Sequence, residues 1–287
     1  MTKRISGLSA IAADYRAILF DVWGVLHNGQ SVYRQAEDAL VRYREGGGQV
    51  VLLTNSPRRN QGVATQLDDL RVNRQAYDAI VTSGDVTRRL ISHAGENVFH
   101  LGPSRDLPLF EGLGKQLTGI DACQAVVCTG LFEDEIETPE DYRDRLSALA
   151  ERQIPFICAN PDLVVERGER MIYCAGSLAK LYAELGGKTQ VAGKPHNPIY
   201  KLAEQRLAEI NGSSMPQENI IAIGDGMPTD VTGALSNGFD LLYISAGIHS
   251  ASYGPADDPN EAELREFLAA NNAEPTVWMP RLCWAAD

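Results

Sequence analysis

The sequence predicts an α/β protein built on a doubly wound parallel sheet. Two observations carry this reading. Short, uninterrupted apolar runs recur along the chain, as in strands covered on both faces. Helical patterns separate them, and that alternation belongs to parallel sheets with crossover helices. At 287 residues the chain suits one large domain or two smaller ones.

Ala17-Ile-Leu-Phe-Asp21 is the first expected strand and the expected start of continuous structure. A helix is expected from about Arg34 to Arg44, stopped by Gly46-Gly47-Gly48. Val50 to Thr54 reads as the second strand, and Val63, Leu67 and Leu70 then recur at helical spacing. Ala79 to Ser83 is the third strand. Near the far end, Ile220–Gly224 and Leu241–Ser245 are strands separated by a short helix. The stretch from Asp85 to Gln190 is less regular, with strands expected at Asn97–Leu101, Ala125–Thr129 and Pro155–Ala159. A helix there is expected to start with Thr138 as N-cap and Pro139 at its first position. Tyr142, Leu146 and Leu149 would form its apolar face. Gly112-Leu113-Gly114-Lys115 lacks the spacing of a nucleotide P-loop and reads as a loop. Val277–Pro280 reads as a final edge strand in preference to an oligomer contact, although a homo-oligomer stays compatible with the chain.

Composition narrows the function. Hydrophobic residues make up 44% and charged residues 22%, which fits a globular chain and excludes a disordered one. No apolar stretch approaches the ~18 residues of a membrane span. The net charge of −12 disfavours binding to nucleic-acid phosphates. A small anionic substrate remains compatible, because a metal ion or lysine can reverse the field inside one pocket. The five cysteines are odd in number and form no C-x-x-C, so reduced thiols in a cytoplasmic protein are expected. The five histidines lack H-x-x-x-H spacing, which argues against zinc. Lys3-Arg4 precedes a stretch broken by Ser6, Gly7 and Ser9, too weakly apolar for a secretory signal.

In open parallel sheets, ligands bind outside the carboxyl ends of the strands. Asp21 closes the first strand, Thr54-Asn55-Ser56 follows the second, and Asp225 and Asp230 follow a later one. Lys194 lies just before another expected helix. These groups suit phosphoryl transfer. A strand-end aspartate can attack phosphorus. Clustered aspartates need a cation, and hard oxygen ligands suit Mg²⁺. A lysine offsets the charge of phosphate and nucleophile.

The ordered set resembles the haloacid dehalogenase superfamily. Phe20-Asp21-Val22-Trp23-Gly24-Val25-Leu26 looks like its first motif, Thr54-Asn55-Ser56 its second, Lys194 its third, and Gly224-Asp225 through Asp230 its fourth. The long interval from Ser56 to Lys194 is similar to the class IIA subgroup, which includes sugar-phosphate, nucleotide and p-nitrophenyl-phosphate phosphatases. Thr82-Ser83-Gly84-Asp85 and Val191 to Tyr200 look like its cap entry and exit, and Asn160-Pro161-Asp162 like a cap element. The resemblance implies a core at 1–83 and 191–287 and a cap at 84–190 that closes over the strand ends. It implies Asp21 as the nucleophile forming an aspartyl-phosphate and Lys194 as its charge-balancing partner. Thr54, Asn55, Ser56 and Asp162 would bind the phosphate or substrate. Mg²⁺ would be held by Asp21, the Trp23 backbone carbonyl, Asp225 and Asp230, the last directly or from just outside. The implied partner is a small phosphorylated metabolite.

One position departs from the pattern. Phosphatases of this superfamily carry an acid/base aspartate two residues after the nucleophile, and here Trp23 stands in its place. Indole carries no titrating proton near neutral pH, and general acid–base catalysis is worth ~10²–10⁴-fold. Slow or unusual turnover is expected, with His27 and Asp162 as candidate substitutes. Two alternatives follow: a non-catalytic phosphometabolite-binding protein, and a carbon–halogen hydrolase, whose relatives also carry an aromatic residue there.

Overall fold

The computed structural model describes residues 2–285. In chain order its strands are β1 (Lys3–Arg4), β2 (Ala17–Phe20), β3 (Gln49–Thr54), β4 (Ala79–Thr82), β5 (Asn97–Leu101), β6 (Gln116–Leu117) and β7 (Ala125–Cys128). They continue as β8 (Phe156–Cys158), β9 (Val164–Arg167), β10 (Arg170–Tyr173), β11 (Thr189–Val191), β12 (Ile220–Gly224), β13 (Asp240–Ile244) and β14 (Val277–Met279). The α-helices are α1 (Arg34–Glu45), α2 (Asn60–Asp69), α3 (Ser83–His93), α4 (Arg143–Glu151), α5 (Ala175–Glu184), α6 (Asn197–Asn211), α7 (Thr232–Ser236) and α8 (Glu261–Ala270). No helix among the described residues is long and apolar enough to cross a membrane.

The chain forms two compact units. One takes the residues up to Thr54, Ala64–Val81 and the chain from Tyr200 onward; the other takes Asn55–Val63 and Thr82–Ile199.

The first unit is built on a sheet of order β1-β14-β13-β12-β2-β3-β4. From β1 to β3 each neighbouring pair is parallel. The central strands β2 and β12 are buried at every residue, which is why both read as unbroken apolar runs. Each fully buried Ile or Leu contributes roughly 1.5–3 kcal/mol of transfer free energy. Helix α1 buries Ala36, Ala39, Leu40 and Tyr43 and ends at Gly46. Gly47 follows in the left-handed region, at φ +91°, as a helix stop requires.

Two expectations need correction here. Ordered structure begins before Ala17, with β1 and a helical turn at Leu8–Ala10. Consequently β14 is not an edge strand: β13 flanks it on one side and β1 on the other. Two exposed basic residues, Lys3 and Arg4, are too few and too polar to announce a strand.

The second unit carries its own parallel sheet, in the order β11-β8-β7-β5-β6. Ile91 of α3 joins Val98, Leu109, Val127 and Ile157 in one cluster. Tyr142, Leu146, Leu149 and Tyr182 join Val126 and Phe156 in another, with the Phe156 and Tyr182 rings stacked at 4.9 Å. Thr138 begins the expected helix through a capping box, its N–H donating to Asp141 Oδ2 at 2.7 Å. The first turn is 3₁₀, and α4 continues from Arg143. An antiparallel hairpin of β9 and β10 completes the unit. The five cysteines are free.

Candidate active site

Strand β2 delivers Asp21 at its carboxyl end, and β12, paired beside it, delivers Asp225. Asp21, Asp225 and Asp230 are all buried and bring one carboxylate oxygen each within 4.8 Å of one another. Charged oxygens at that separation repel by about 3 kcal/mol or more per pair at an effective dielectric of ~20.

The surrounding backbone builds this crowding. Asp230 sits on a π-helical turn, Met227–Val231, in which Val231 N–H reaches back to the Gly226 carbonyl at 3.0 Å. The extra residue in that turn carries Asp230 back so that its Oδ2 accepts from Gly226 N–H at 3.1 Å. Asp225 Oδ2 accepts from Ile248 N–H at 2.8 Å. A Cβ on Gly247 would lie 1.9 Å from that same oxygen, so only glycine fits there. Gly24, at φ +85°, leaves a second approach to Asp225 open. Hard, buried carboxylate oxygens are the set that Mg²⁺ accepts, and these residues fit such an ion.

Trp23 is half-buried and lies in a tight turn. The Leu26 and His27 amides donate to the Val22 carbonyl at 2.9 and 3.2 Å, and Gly24 N–H donates to the His27 carbonyl at 2.8 Å. The Trp23 and His27 rings meet edge to face at 5.1 Å. His27 is a poor substitute for the missing acid. Its Nδ1 accepts from Gly29 N–H at 3.0 Å, and burial pushes its pKa down to about 4. The ring is neutral near pH 7, with its proton on Nε2.

Thr54, buried, ends β3. Beyond it, in the second unit, Asn55 joins distant segments of the chain. Its Oδ1 accepts from Lys194 N–H at 2.8 Å, while its Nδ2 donates to Asp162 Oδ1 at 2.9 Å and to the Lys194 carbonyl at 3.3 Å. The Asn55 amide thus fixes the backbone of Lys194 and the side chain of Asp162. Lys194 is buried, and a Cβ on Gly193 would sit 2.6 Å from both Asn55 Oδ1 and Ser83 Oγ. Ser56 Oγ accepts from Arg58 N–H at 3.3 Å.

The structure therefore gathers Asp21, Asp225 and Asp230 in one group, and Asn55, Asp162 and Lys194 in another. Sequence reading missed Gly247 and Ile248. The signal was present, since Ser245-Ala246-Gly247 follows an apolar strand as Asp21 and Asp225 do.

The chain is similar to known proteins. Residues 18–116 match the family model described as haloacid dehalogenase-like hydrolase, and residues 191–271 match the one described as HAD-hydrolase-like. A haloacid dehalogenase-like family hydrolase from Brucella suis 1330 is similar at 46% identity and TM-score 0.88, over 98% of this chain and 100% of that one. The 4-nitrophenylphosphatase of Thermotoga maritima is similar in fold, with TM-score 0.69 at 22% identity over 94% and 96% of the two chains. A dihydroxyacetone phosphatase of Corynebacterium glutamicum (strain R) is 32% identical over 113 residues, 39% of this chain and 35% of its own.

Proposed function

Since this chain belongs to the haloacid dehalogenase-like hydrolase family, we propose that it is a Mg²⁺-dependent phosphatase of small phosphate esters, sugar phosphates among them. The observation that carries this reading is the buried triad of Asp21, Asp225 and Asp230. Names of similar proteins, the dihydroxyacetone and 4-nitrophenyl phosphatases, support the reaction class.

Asp225, Asp230, Asp21 and the Trp23 carbonyl would hold the ion, which would offset the charge of phosphate and carboxylates. A carboxylate oxygen of Asp21 attacks phosphorus, and the bond from phosphorus to the ester oxygen breaks. The leaving oxygen takes its proton from solvent, because Trp23 has none to give and His27 is neutral. Water then attacks phosphorus, the bond to Asp21 breaks, and inorganic phosphate leaves. Lys194 contributes positive charge to the phosphoryl oxygens, Thr54 and Ser56 bind them, and Asn55 positions Lys194. Residues 84–190 serve as the cap that selects the substrate.

Phosphate release from an ester panel, with and without Mg²⁺, tests this reading. Asp21→Asn is expected to lower turnover by ~10³-fold or more. Full activity in that variant, or in chelator, would overturn it. Aryl esters should be hydrolysed faster than alkyl esters, since their leaving groups need no acid; a flat profile across leaving-group pKa would count against solvent protonation.

A further inference from the structure

One loop of the first unit, running from Ser245 to Tyr253 after β13, braces the acid cluster. Backbone pairing seats its start. Ser245 N–H donates to the Met279 carbonyl at 3.0 Å, and Ala246 N–H to the Pro280 carbonyl at 2.9 Å. Its far end folds back, because the Tyr253 hydroxyl donates to the Ser245 carbonyl at 2.8 Å. Tyr253 is buried, and its ring meets Phe267 of α8 edge to face at 5.3 Å. The His249 ring packs on the same phenylalanine at 5.4 Å. The loop therefore has a fixed reference in the core.

From there it reaches both arms of the cluster. Ile248 N–H donates to Asp225 Oδ2 at 2.8 Å. The next residue reaches the other arm, where His249 Nε2 accepts from Met227 N–H at 3.0 Å. Met227 is buried and begins the π-helical turn that carries Asp230. An amide at the start of a helical turn has no acceptor within the turn, so His249 supplies one. Burial lowers the His249 pKa against the opposite pull of Asp230. The neutral ring carries its proton on Nδ1 and leaves Nε2 to accept. Thr232 Oγ1 donates to the Met227 carbonyl at 2.8 Å, so Met227 is gripped through both of its backbone groups. Tolerances around Asp230 are small. A Cβ on Gly224 would lie 2.4 Å from Asp230 Cγ, and one on Gly226 would lie 3.0 Å from Asp230 Oδ2. The carboxylate rests on the backbone leading into Met227, and a shift of that backbone moves it.

We propose that His249 is a positioning residue: it fixes the turn at Met227 and thereby sets how tightly Asp230, with Asp21 and Asp225, holds a divalent cation. The proposal rests on the Mg²⁺-dependent reading for the identity of that cation. Groups that orient the ligands of a metal are commonly worth ~10–100-fold in its affinity.

The test measures Mg²⁺ binding to metal-free protein by calorimetry, and hydrolysis of 4-nitrophenyl phosphate as Mg²⁺ is varied. His249→Phe keeps a ring against Phe267 and removes the acceptor. Its Kd for Mg²⁺, and the Mg²⁺ concentration giving half-maximal rate, are expected to rise roughly tenfold to a hundredfold, with a smaller fall in kcat at saturating Mg²⁺. His249→Gln places an amide oxygen where Nε2 stood and should restore the Kd to within severalfold. Should His249→Phe fail to fold, His249→Asn, whose amide is one bond too short for Met227 N–H, carries the same contrast with His249→Gln. A wild-type Kd in the variant that lacks the acceptor, or an equal loss in His249→Gln, overturns the proposal. A purely structural role would lower the melting temperature in chelator without moving the Kd. Wild-type protein that binds no Mg²⁺ overturns the cation reading and this proposal together. Mg²⁺ binding that depends on His249, without turnover of any ester, overturns the phosphatase reading and leaves the role of His249 standing.

Discussion

Asp225 and Asp106 both lie buried near the carboxyl end of a parallel strand, and the two units neutralise them by opposite means. Asp225 is clustered with the carboxylates of Asp21 and Asp230, and the Ile248 and Gly226 amides donate to Asp225 and Asp230. Around Asp106 the neighbours are Arg58 and Arg105. Burial raises the Asp106 pKa while those arginines lower it. Clustered like charges favour a bound cation, whereas mixed charges offset one another within the chain. On the proposed reading, the first arrangement makes stability and activity depend on a cation.

Adding a fourth acid to the like-charged cluster should give the largest effect. Trp23→Asp is expected to raise turnover of alkyl phosphates by ~10²-fold or more, and to lower the melting temperature in chelator. Steady-state rates and thermal melts of the same preparation check both; unchanged turnover would show that Trp23 is not what limits the reaction.

Cation dependence comes next. Mg²⁺ at a hundred times its Kd should stabilise the protein by ~2.7 kcal/mol. Asp225→Asn should abolish that gain and melt higher than wild type in chelator, since one repulsive charge is gone. Asp106→Asn should leave the Mg²⁺ shift intact. Equal Mg²⁺ responses in both variants would erase the contrast between the units.

Gly247→Ala is a purely steric probe of the first cluster. The new methyl group meets Asp225 Oδ2, so a loss of ~1–3 kcal/mol in denaturant unfolding is expected, together with weaker Mg²⁺ binding.

The smallest effect concerns pH in the second unit. Burial pushes the His100 pKa down to about 4, below its ordinary ~6.5. The unfolded chain therefore protonates first as pH falls, so stability present above pH ~6.5 is lost as pH drops toward 4. Asp106, with its raised pKa, works in the opposite direction. His100→Gln should flatten the fall in melting temperature over this range by about 2 °C; an unchanged slope would assign the acid sensitivity elsewhere.

Much of this was legible in the residues themselves. Asp21, Thr54 and Asp225 end apolar runs, and β2, β3 and β12 end there in the fold. Ile248 was hidden because it acts through a backbone N–H, which no side chain advertises. Arg58 and Asp106 were hidden because their meeting depends on where the turn after β5 falls. The β9–β10 hairpin escaped notice because β9 is only partly buried, so it lacks a clean apolar alternation. Asn55 was readable as a polar residue after a strand, but its grip on Lys194 joins positions that only the fold brings together.

That grip has a consequence for chain statistics. One amide pins the two ends of a segment running from Asn55 to Lys194. For a loop with its ends held, each doubling of length adds only ~0.6 kcal/mol of closure entropy. Residues between the pins can be inserted, deleted or rewritten at little thermodynamic penalty, provided they still fold. A lineage could therefore exchange this segment wholesale while Lys194 keeps its backbone position.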